Sequence, residues 1–267
     1  MWRSLAPARR RFFTALLVLA LVVVATAVVV AVVGGEDEAG PAPQDRPGPV
    51  LLVPGYGGST SALEVLAEDL VAGGRDARVV APVGSGTDDL RDQAAHLAEV
   101  VEETIERTGA PSVDLVGYSA GGVVVRYYVA ELGGRSTVRR AVTLASPHHG
   151  TDLAALASTL GDRACPAACR QLDPGSELLR RLGTGDETPD GPSWVALWTE
   201  DDATVVPPTS GTLEGALTFS VQAVCPDLTV SHADVPRTPE VVAMVEQQLG
   251  VAAPRLPDAS LCRRVSP

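Results

Sequence analysis

The stretch VDLVGYSAGGVVVRYY, from Val113 to Tyr128, decides how the rest of the chain is interpreted. Its apolar first part predicts a strand and its apolar second part predicts a helix, with the pentapeptide GYSAG between them. This is the pattern G-x-S-x-G, in which a sharp strand-to-helix turn exposes a serine hydroxyl and flanking glycines prevent clashes. Ser119 is therefore a candidate nucleophile, although a serine in an ordinary glycine-rich turn produces the same letters.

The composition narrows the class of protein. A chain of 267 residues with 45% hydrophobic content can form one sizeable globular domain. Its net charge of -12 argues against a nucleic-acid partner, because binding to a phosphate backbone needs clustered Lys and Arg. We expect a monomer.

Residues 1–33 combine arginines at positions 3, 9, 10 and 11 with an uncharged apolar run over residues 12–33. About twenty such residues can span a bilayer as a helix, and basic residues before it stay on the cytoplasmic side. We therefore expect an N-terminal transmembrane or signal helix and an extracytoplasmic main body. Ala25-Thr26-Ala27 offers a signal-peptide cleavage site, but the run is longer than the roughly 7–15 residues usual there, which favours an uncleaved anchor.

Residues 34–49 are rich in Gly, Pro and acid, which predicts a solvated linker. From residue 50 to 267 apolar runs alternate with amphipathic segments, the pattern of an α/β fold with a mostly parallel central sheet flanked by helices. The segment 87–109 has helical spacing, with Thr87 and Asp88 as capping candidates and Gly109 as its end. Residues 151–192 break the alternation and are interpreted as an insertion. The predicted strands begin at Val50, Ala77, Ser112, Val138, Ser193 and Leu217.

Four cysteines fit an exported location, where disulfides persist. They allow three pairings, of which proximity in sequence favours Cys165 with Cys169 and Cys225 with Cys262. Zinc is the alternative, but no second Cys or His cluster stands at the required spacing from Cys165 and Cys169.

A nucleophilic serine needs a base, and after a G-x-S-x-G elbow the chain order is serine, then acid, then histidine. The chain has four histidines. His96 precedes the serine on a predicted helix. His148 and His149 follow the serine, but they come before the acid in the chain, so this pair is expected to shape a loop near the site. His232, between the last predicted strand and the final helix, is therefore the expected base.

The acid is expected at the end of the strand that precedes the histidine. The segment WVALWTEDDATVVPP supplies Glu200, Asp201 and Asp202 there. A carboxylate at this position can hold the imidazole tautomer and stabilise the imidazolium. We expect Asp202 to be the acid, with Asp201 as the alternative.

An acyl-transfer site also needs backbone N–H donors for a developing oxyanion. One is expected from Ala120, directly after the nucleophile, and one from Tyr56 in the glycine-rich loop LLVPGYGGST. The same glycine cluster could suggest a phosphate loop, but it lacks the G-K-[ST] ending.

Five stretches together resemble the secreted bacterial lipases and esterases of the α/β-hydrolase fold. VPGYGGS is similar to their oxyanion loop, DLVGYSAGGVVVRYY to their elbow and TLASPHHGT to a stretch beside their active site. DDATVVPP is similar to the acid loop D-x-x-V-x-P, which places the acid at Asp202, and CPDLTVSH to the approach to the histidine.

The resemblance implies hydrolysis of small-molecule or lipid esters without a metal or organic cofactor. Acyl transfer to another alcohol and thioester cleavage would use the same residues. A membrane-tethered scaffold protein that keeps the fold without turnover is the alternative from a different class.

Overall fold

A computed structural model describes residues 16–22, 24 and 40–265, without the side chains of 263–265. Contacts divide the chain into two units, residues 1–39 and residues 40–267. In the first unit, residues 16–22 and 24 are helical, and the rest of the predicted apolar segment 12–33 lies outside the described residues. None of the helices in the described ranges is both long and apolar enough to cross a bilayer.

The second unit contains a six-stranded sheet in the order β2-β1-β3-β4-β5-β6. Every neighbouring pair of these strands is parallel, so the predicted α/β architecture with a mostly parallel sheet is confirmed. The strands are β1 Val50–Val53, β2 Ala77–Val79, β3 Val113–Tyr118, β4 Val138–Leu144, β5 Ser193–Trp198 and β6 Leu217–Ser220.

The longer helices lie in two layers, one on each face of the sheet, because the buried strands carry apolar side chains on both faces. Leu51 and Leu115 face one layer, whereas Leu52 and Val116 face the other. The first layer contains α2 Leu90–Thr108 and α3 Ala120–Glu131, and the second contains α1 Ser61–Ala72 and α8 Pro239–Gln248. The remaining helices are α4 Asp152–Ser158, α5 Ala167–Gln171, α6 Glu177–Leu182, α7 Val221–Val224 and α9 Ser260–Val265.

Helix α2 begins later than its sequence predicts. Its N-cap is Asp89, whose carboxylate accepts a hydrogen bond from the Arg91 amide at 2.8 Å, so the prediction of Thr87 or Asp88 as cap is wrong. Gln171 fixes this start, because its amide group donates to Asp89 at 2.6 Å and accepts from the Leu90 amide at 2.7 Å. The helix ends at Gly109 in the left-handed conformation, as predicted.

The segment 151–192 holds the short helices α4, α5 and α6 between β4 and β5. The buried Arg126 of α3 holds this segment against α3, because it donates hydrogen bonds to the carbonyl oxygens of Leu182 at 2.7 Å and Glu187 at 2.8 Å. Both predicted disulfides are present, Cys165–Cys169 within this segment and Cys225–Cys262 near the C-terminus.

The opposite end of β3 from the elbow is held by buried charges. Asp114 is fully buried and accepts from Arg139 at 2.6 and 2.8 Å and from Arg75 at 2.6 Å. Part of the predicted linker 34–49 also contacts this end, whereas residues 40, 41, 43 and 45–47 are exposed. Ala42 is buried, and the Gln44 side chain binds Ser193 Oγ at 2.9 Å.

Candidate active site

Ser119 lies on the tight turn that joins β3 to α3. Its backbone angles are φ 53° and ψ -127°, a conformation that costs a non-glycine residue on the order of 1–3 kcal/mol. Parallel strand β3 ends at Tyr118, so the serine stands at the carboxyl edge of the sheet, where ligands bind in open α/β folds. The predicted strand-turn-helix context of GYSAG is therefore present.

Glycine is required on both sides of the serine because backbones pass very close there. A Cβ atom added at Gly121 would lie 2.2 Å from the Val53 carbonyl oxygen, and one at Gly117 would lie 2.6 Å from the Gly122 Cα. The turn can be this sharp only without these side-chain atoms, which is the reason for the glycines of the motif.

The structure brings Ser119, His232 and Asp202 together from three separate loops. His232 begins a 3-10 helix at residues His232–Arg237, and its Nε2 lies 3.0 Å from Ser119 Oγ. Its Nδ1 lies 2.7 Å from Asp202 Oδ2. The three side chains thus form one continuous chain of hydrogen bonds, with the imidazole in the middle.

The Asp202 carboxylate is buried and fixed from two sides. Oδ2 faces the imidazole, and Oδ1 accepts hydrogen bonds from the amides of Thr204 and Val205, each at 2.8 Å. These two amides set the orientation of the carboxylate and compensate part of the cost of burying its charge.

Asp201 contacts the main chain of the histidine loop. Its Oδ2 accepts from the Val230 amide at 3.0 Å and from Gln222 Nε2 at 2.9 Å. Glu200, the third acid of this run, accepts from Ser220 Oγ at 2.9 Å. The three adjacent acids therefore have different partners, and Asp202 is the one paired with the imidazole.

The loop after β1 carries Tyr56, the predicted second oxyanion donor. Gly55 packs directly against the serine, since a Cβ atom added there would lie 2.9 Å from Ser119 Cβ and 3.4 Å from its Oγ. The Tyr56 amide directly follows Gly55, so it is part of the backbone segment that lies next to the Ser119 hydroxyl. Ala120 is the first residue of α3, where helical amides have no partner within the helix.

His148 is fully buried, and its Nε2 lies 3.0 Å from Thr143 Oγ1. Burial, together with the charges of Arg126 and His149, lowers its pKa well below the ordinary 6.5. The unfolded chain therefore binds a proton that the folded chain does not, so the free energy of unfolding falls as the pH drops below about 6.5.

The other two histidines are bound at the surface. His149 contacts Glu187 at 2.9 Å, and His96 contacts Glu99 at 3.5 Å. His148 and His149 belong to the loop after β4, as predicted.

Tyr118 is a contact of the site that the sequence analysis missed. Its hydroxyl donates to the main-chain oxygen of His232 at 3.1 Å, and the two ring centroids are 5.2 Å apart. In the sequence, the only indication of this contact is the alternation of side chains along β3, which places Tyr118 on the same face of the sheet as Val116.

A family model described as alpha/beta hydrolase fold matches residues 48–161, from just before β1 into the segment after β4. This range includes Ser119 and both proposed oxyanion donors.

Solved structures extend the likeness over most of the chain. A mature lipase from Bacillus licheniformis is similar with a TM-score of 0.61 and 22% identity, over 80% of this chain and 94% of that one. Aspergillus fumigatus lipase B is similar with a TM-score of 0.65 and 20% identity, over 83% of this chain but 57% of that one. A lipase-esterase related protein from Clostridium acetobutylicum has a TM-score of 0.53 and 14% identity, over 77% and 96% of the two chains. At these identities the likeness is one of fold.

Proposed function

Since the chain has the α/β-hydrolase fold, we propose that it is a serine hydrolase that cleaves carboxylic esters through Ser119, His232 and Asp202. The observation that carries this proposal is the hydrogen-bonded sequence Ser119 Oγ, His232 Nε2, His232 Nδ1 and Asp202 Oδ2, with distances of 3.0 and 2.7 Å. The same order of roles is found in serine hydrolases of unrelated folds.

In the first half-reaction Ser119 Oγ attacks the ester carbonyl carbon while its proton moves to His232 Nε2. The carbonyl oxygen becomes an oxyanion, which accepts hydrogen bonds from the Tyr56 and Ala120 amides. Asp202 accepts the Nδ1–H bond, holds the tautomer and stabilises the imidazolium. The C–O bond then breaks, His232 gives its proton to the departing alcohol, and an acyl ester remains on Ser119.

In the second half-reaction water takes the place of the alcohol. His232 removes a proton from the water as the water oxygen attacks the acyl carbon, and a second oxyanion forms in the same backbone site. Its collapse releases the carboxylic acid and returns the proton to Ser119. These steps need no metal or organic cofactor.

Lipid esters are the proposed substrate class, with triacylglycerol lipase and esterase as the two forms of the activity. The named lipases of Bacillus licheniformis and Aspergillus fumigatus, with which the chain shares its fold, support this class. The two disulfides support an extracytoplasmic location, because such bonds persist in oxidising compartments. Tethering to the membrane through residues 12–33 is part of the same proposal.

The test is covalent labelling of the full chain with a fluorophosphonate, followed by hydrolysis of p-nitrophenyl esters of increasing acyl length. We expect labelling at Ser119 that is lost in Ser119→Ala and kept in Ser112→Ala, a serine next to the other end of β3. Folded wild-type protein that takes no label would favour the non-catalytic scaffold. Among active outcomes, a maximum at short acyl groups indicates an esterase, and turnover of emulsified long-chain ester indicates a lipase.

A further inference from the structure

The residue before the nucleophile faces the layer of the molecule that carries the histidine. Side chains alternate along β3, so Tyr118 shares a face with Val116 and packs against the cluster that contains helices α1 and α8. Val235, three residues after His232, is buried in the same cluster. The alternation of side chains along β3 therefore places Tyr118 on the face of the sheet against which the histidine loop packs.

Tyr118 touches His232 at two different points. Its hydroxyl donates to the His232 main-chain oxygen at 3.1 Å, which holds the backbone. Its ring lies 5.2 Å from the imidazole, centroid to centroid, with the planes inclined by 36°. This separation falls within the range of about 4.5–7 Å in which aromatic rings attract each other.

The Tyr118 hydroxyl keeps its proton, and so remains a hydrogen-bond donor, over the whole pH range in which a serine hydrolase works. Burial, and then the negative charges of Asp202 and Asp234, raise the pKa of Tyr118 to about 12. The neutral O–H group is thus present at every pH at which the imidazole can act as a base.

The Asp202 hydrogen bond alone does not define the ring position. One contact at Nδ1 leaves the imidazole free to swing about that atom, which would move Nε2 away from Ser119 Oγ. A ring packed beside the imidazole and a bond to its own main chain remove this freedom. The aromatic ring also attracts the imidazolium once it forms, since its centroid lies within about 6 Å of the positive group.

From these contacts we infer that Tyr118 is a positioning residue, which keeps His232 Nε2 aligned on Ser119 Oγ and favours the protonated imidazole. The inference rests on the proposed role of His232 as the base. Because the imidazole gains the proton of the serine in the chemical step, Tyr118 acts on the rate of that step and not on substrate binding.

The experiment compares Tyr118→Phe and Tyr118→Leu with Tyr128→Phe as the matched control. Tyr128 is buried and, like Tyr118, bonded through its hydroxyl, to Thr137 Oγ1 at 2.8 Å, but it lies on α3 and packs in the cluster on the other face of the sheet. Folding of each variant is checked by its thermal unfolding curve.

We expect Tyr118→Phe to lower kcat by about 3- to 10-fold, the loss of one neutral hydrogen bond, with KM unchanged. Tyr118→Leu also loses the ring and should lower kcat by about 100-fold. The difference in kcat between Tyr118→Phe and Tyr118→Leu measures the contribution of the ring contact alone, because neither variant has the hydroxyl. The downfield proton signal of the His232 Nδ1–H should broaden in Tyr118→Leu and remain as in the wild type in Tyr128→Phe.

Two results would overturn the inference: wild-type kcat in folded Tyr118→Leu, or an equal loss of kcat in Tyr128→Phe. Failure of the proposed function is distinguishable, because the wild type would then take no fluorophosphonate at Ser119. If the wild type is labelled and both Tyr118 variants are labelled at the same rate, only the positioning role is wrong.

Discussion

An Asp→Asn substitution replaces one carboxylate oxygen by an amide nitrogen. We expect its effect on kcat to be very different at Asp202 and at Asp201. In Asp202→Asn the amides of Thr204 and Val205, each 2.8 Å from the present Oδ1, require an acceptor and so hold the Asn oxygen. The Asn nitrogen then occupies the position 2.7 Å from His232 Nδ1 and must donate to it. The imidazole is forced into the tautomer with its proton on Nε2, which cannot accept the proton of the serine.

The expected loss in Asp202→Asn is about 10⁴-fold in kcat, or about 5.5 kcal/mol of transition-state stabilisation. In the wild type, the Val230 amide and Gln222 Nε2 both donate to Asp201 Oδ2. The side-chain carbonyl oxygen of Asp201→Asn can accept both bonds, so we expect kcat to change by less than about tenfold. Steady-state hydrolysis of one p-nitrophenyl ester at neutral pH measures both variants. Near-normal turnover in Asp202→Asn together with a large loss in Asp201→Asn would refute this reasoning.

Three further variants test the surroundings of the site. His148→Gln should remove the fall in unfolding free energy that the wild type shows as the pH drops below about 6.5, measured by urea unfolding at several pH values, and an unchanged pH slope would contradict it. Replacing Cys225 and Cys262 by Ala opens a loop with a separation of 37 residues and should lower the unfolding free energy by about 4 kcal/mol, whereas an unchanged melting temperature would count against it. Gly55→Ala should lower kcat about 100-fold, because its Cβ would lie 2.9 Å from Ser119 Cβ, and normal turnover would show that the loop can move.

The sheet and the elbow could be predicted because their signals are local. All six strands lie where the apolar runs predict them, and Ser119 follows β3 because GYSAG separates a strand pattern from a helix pattern. Parallel strands then carry their loops to the same edge, which is why the order serine, acid, histidine selected loops that meet. The choice of Asp202 over Asp201 needed the resemblance of DDATVVPP to an acid loop as well.

Features that depend on distant partners could not be predicted in this way. The start of α2 at Leu90 is set by Gln171, which lies 81 residues further along the chain. The contact between Tyr118 and His232 spans 114 residues and depends on how the histidine loop approaches β3. Gln44 lies in a segment with linker composition, yet it binds Ser193 across 149 residues. The membrane anchor at residues 12–33 stays a prediction.

The central claim is that Ser119 attacks an ester while His232 receives its proton and the amides of Tyr56 and Ala120 hold the oxyanion. A crystal structure of the protein inactivated with a diethyl phosphate ester tests this most directly, because the phosphoryl group imitates the tetrahedral intermediate. We expect phosphorus bonded to Ser119 Oγ, the phosphoryl oxygen within hydrogen-bond distance of both amides, and His232 Nε2 beside the serine oxygen. An adduct on another residue, or an unmodified Ser119 in protein that has lost its esterase activity, would contradict the account.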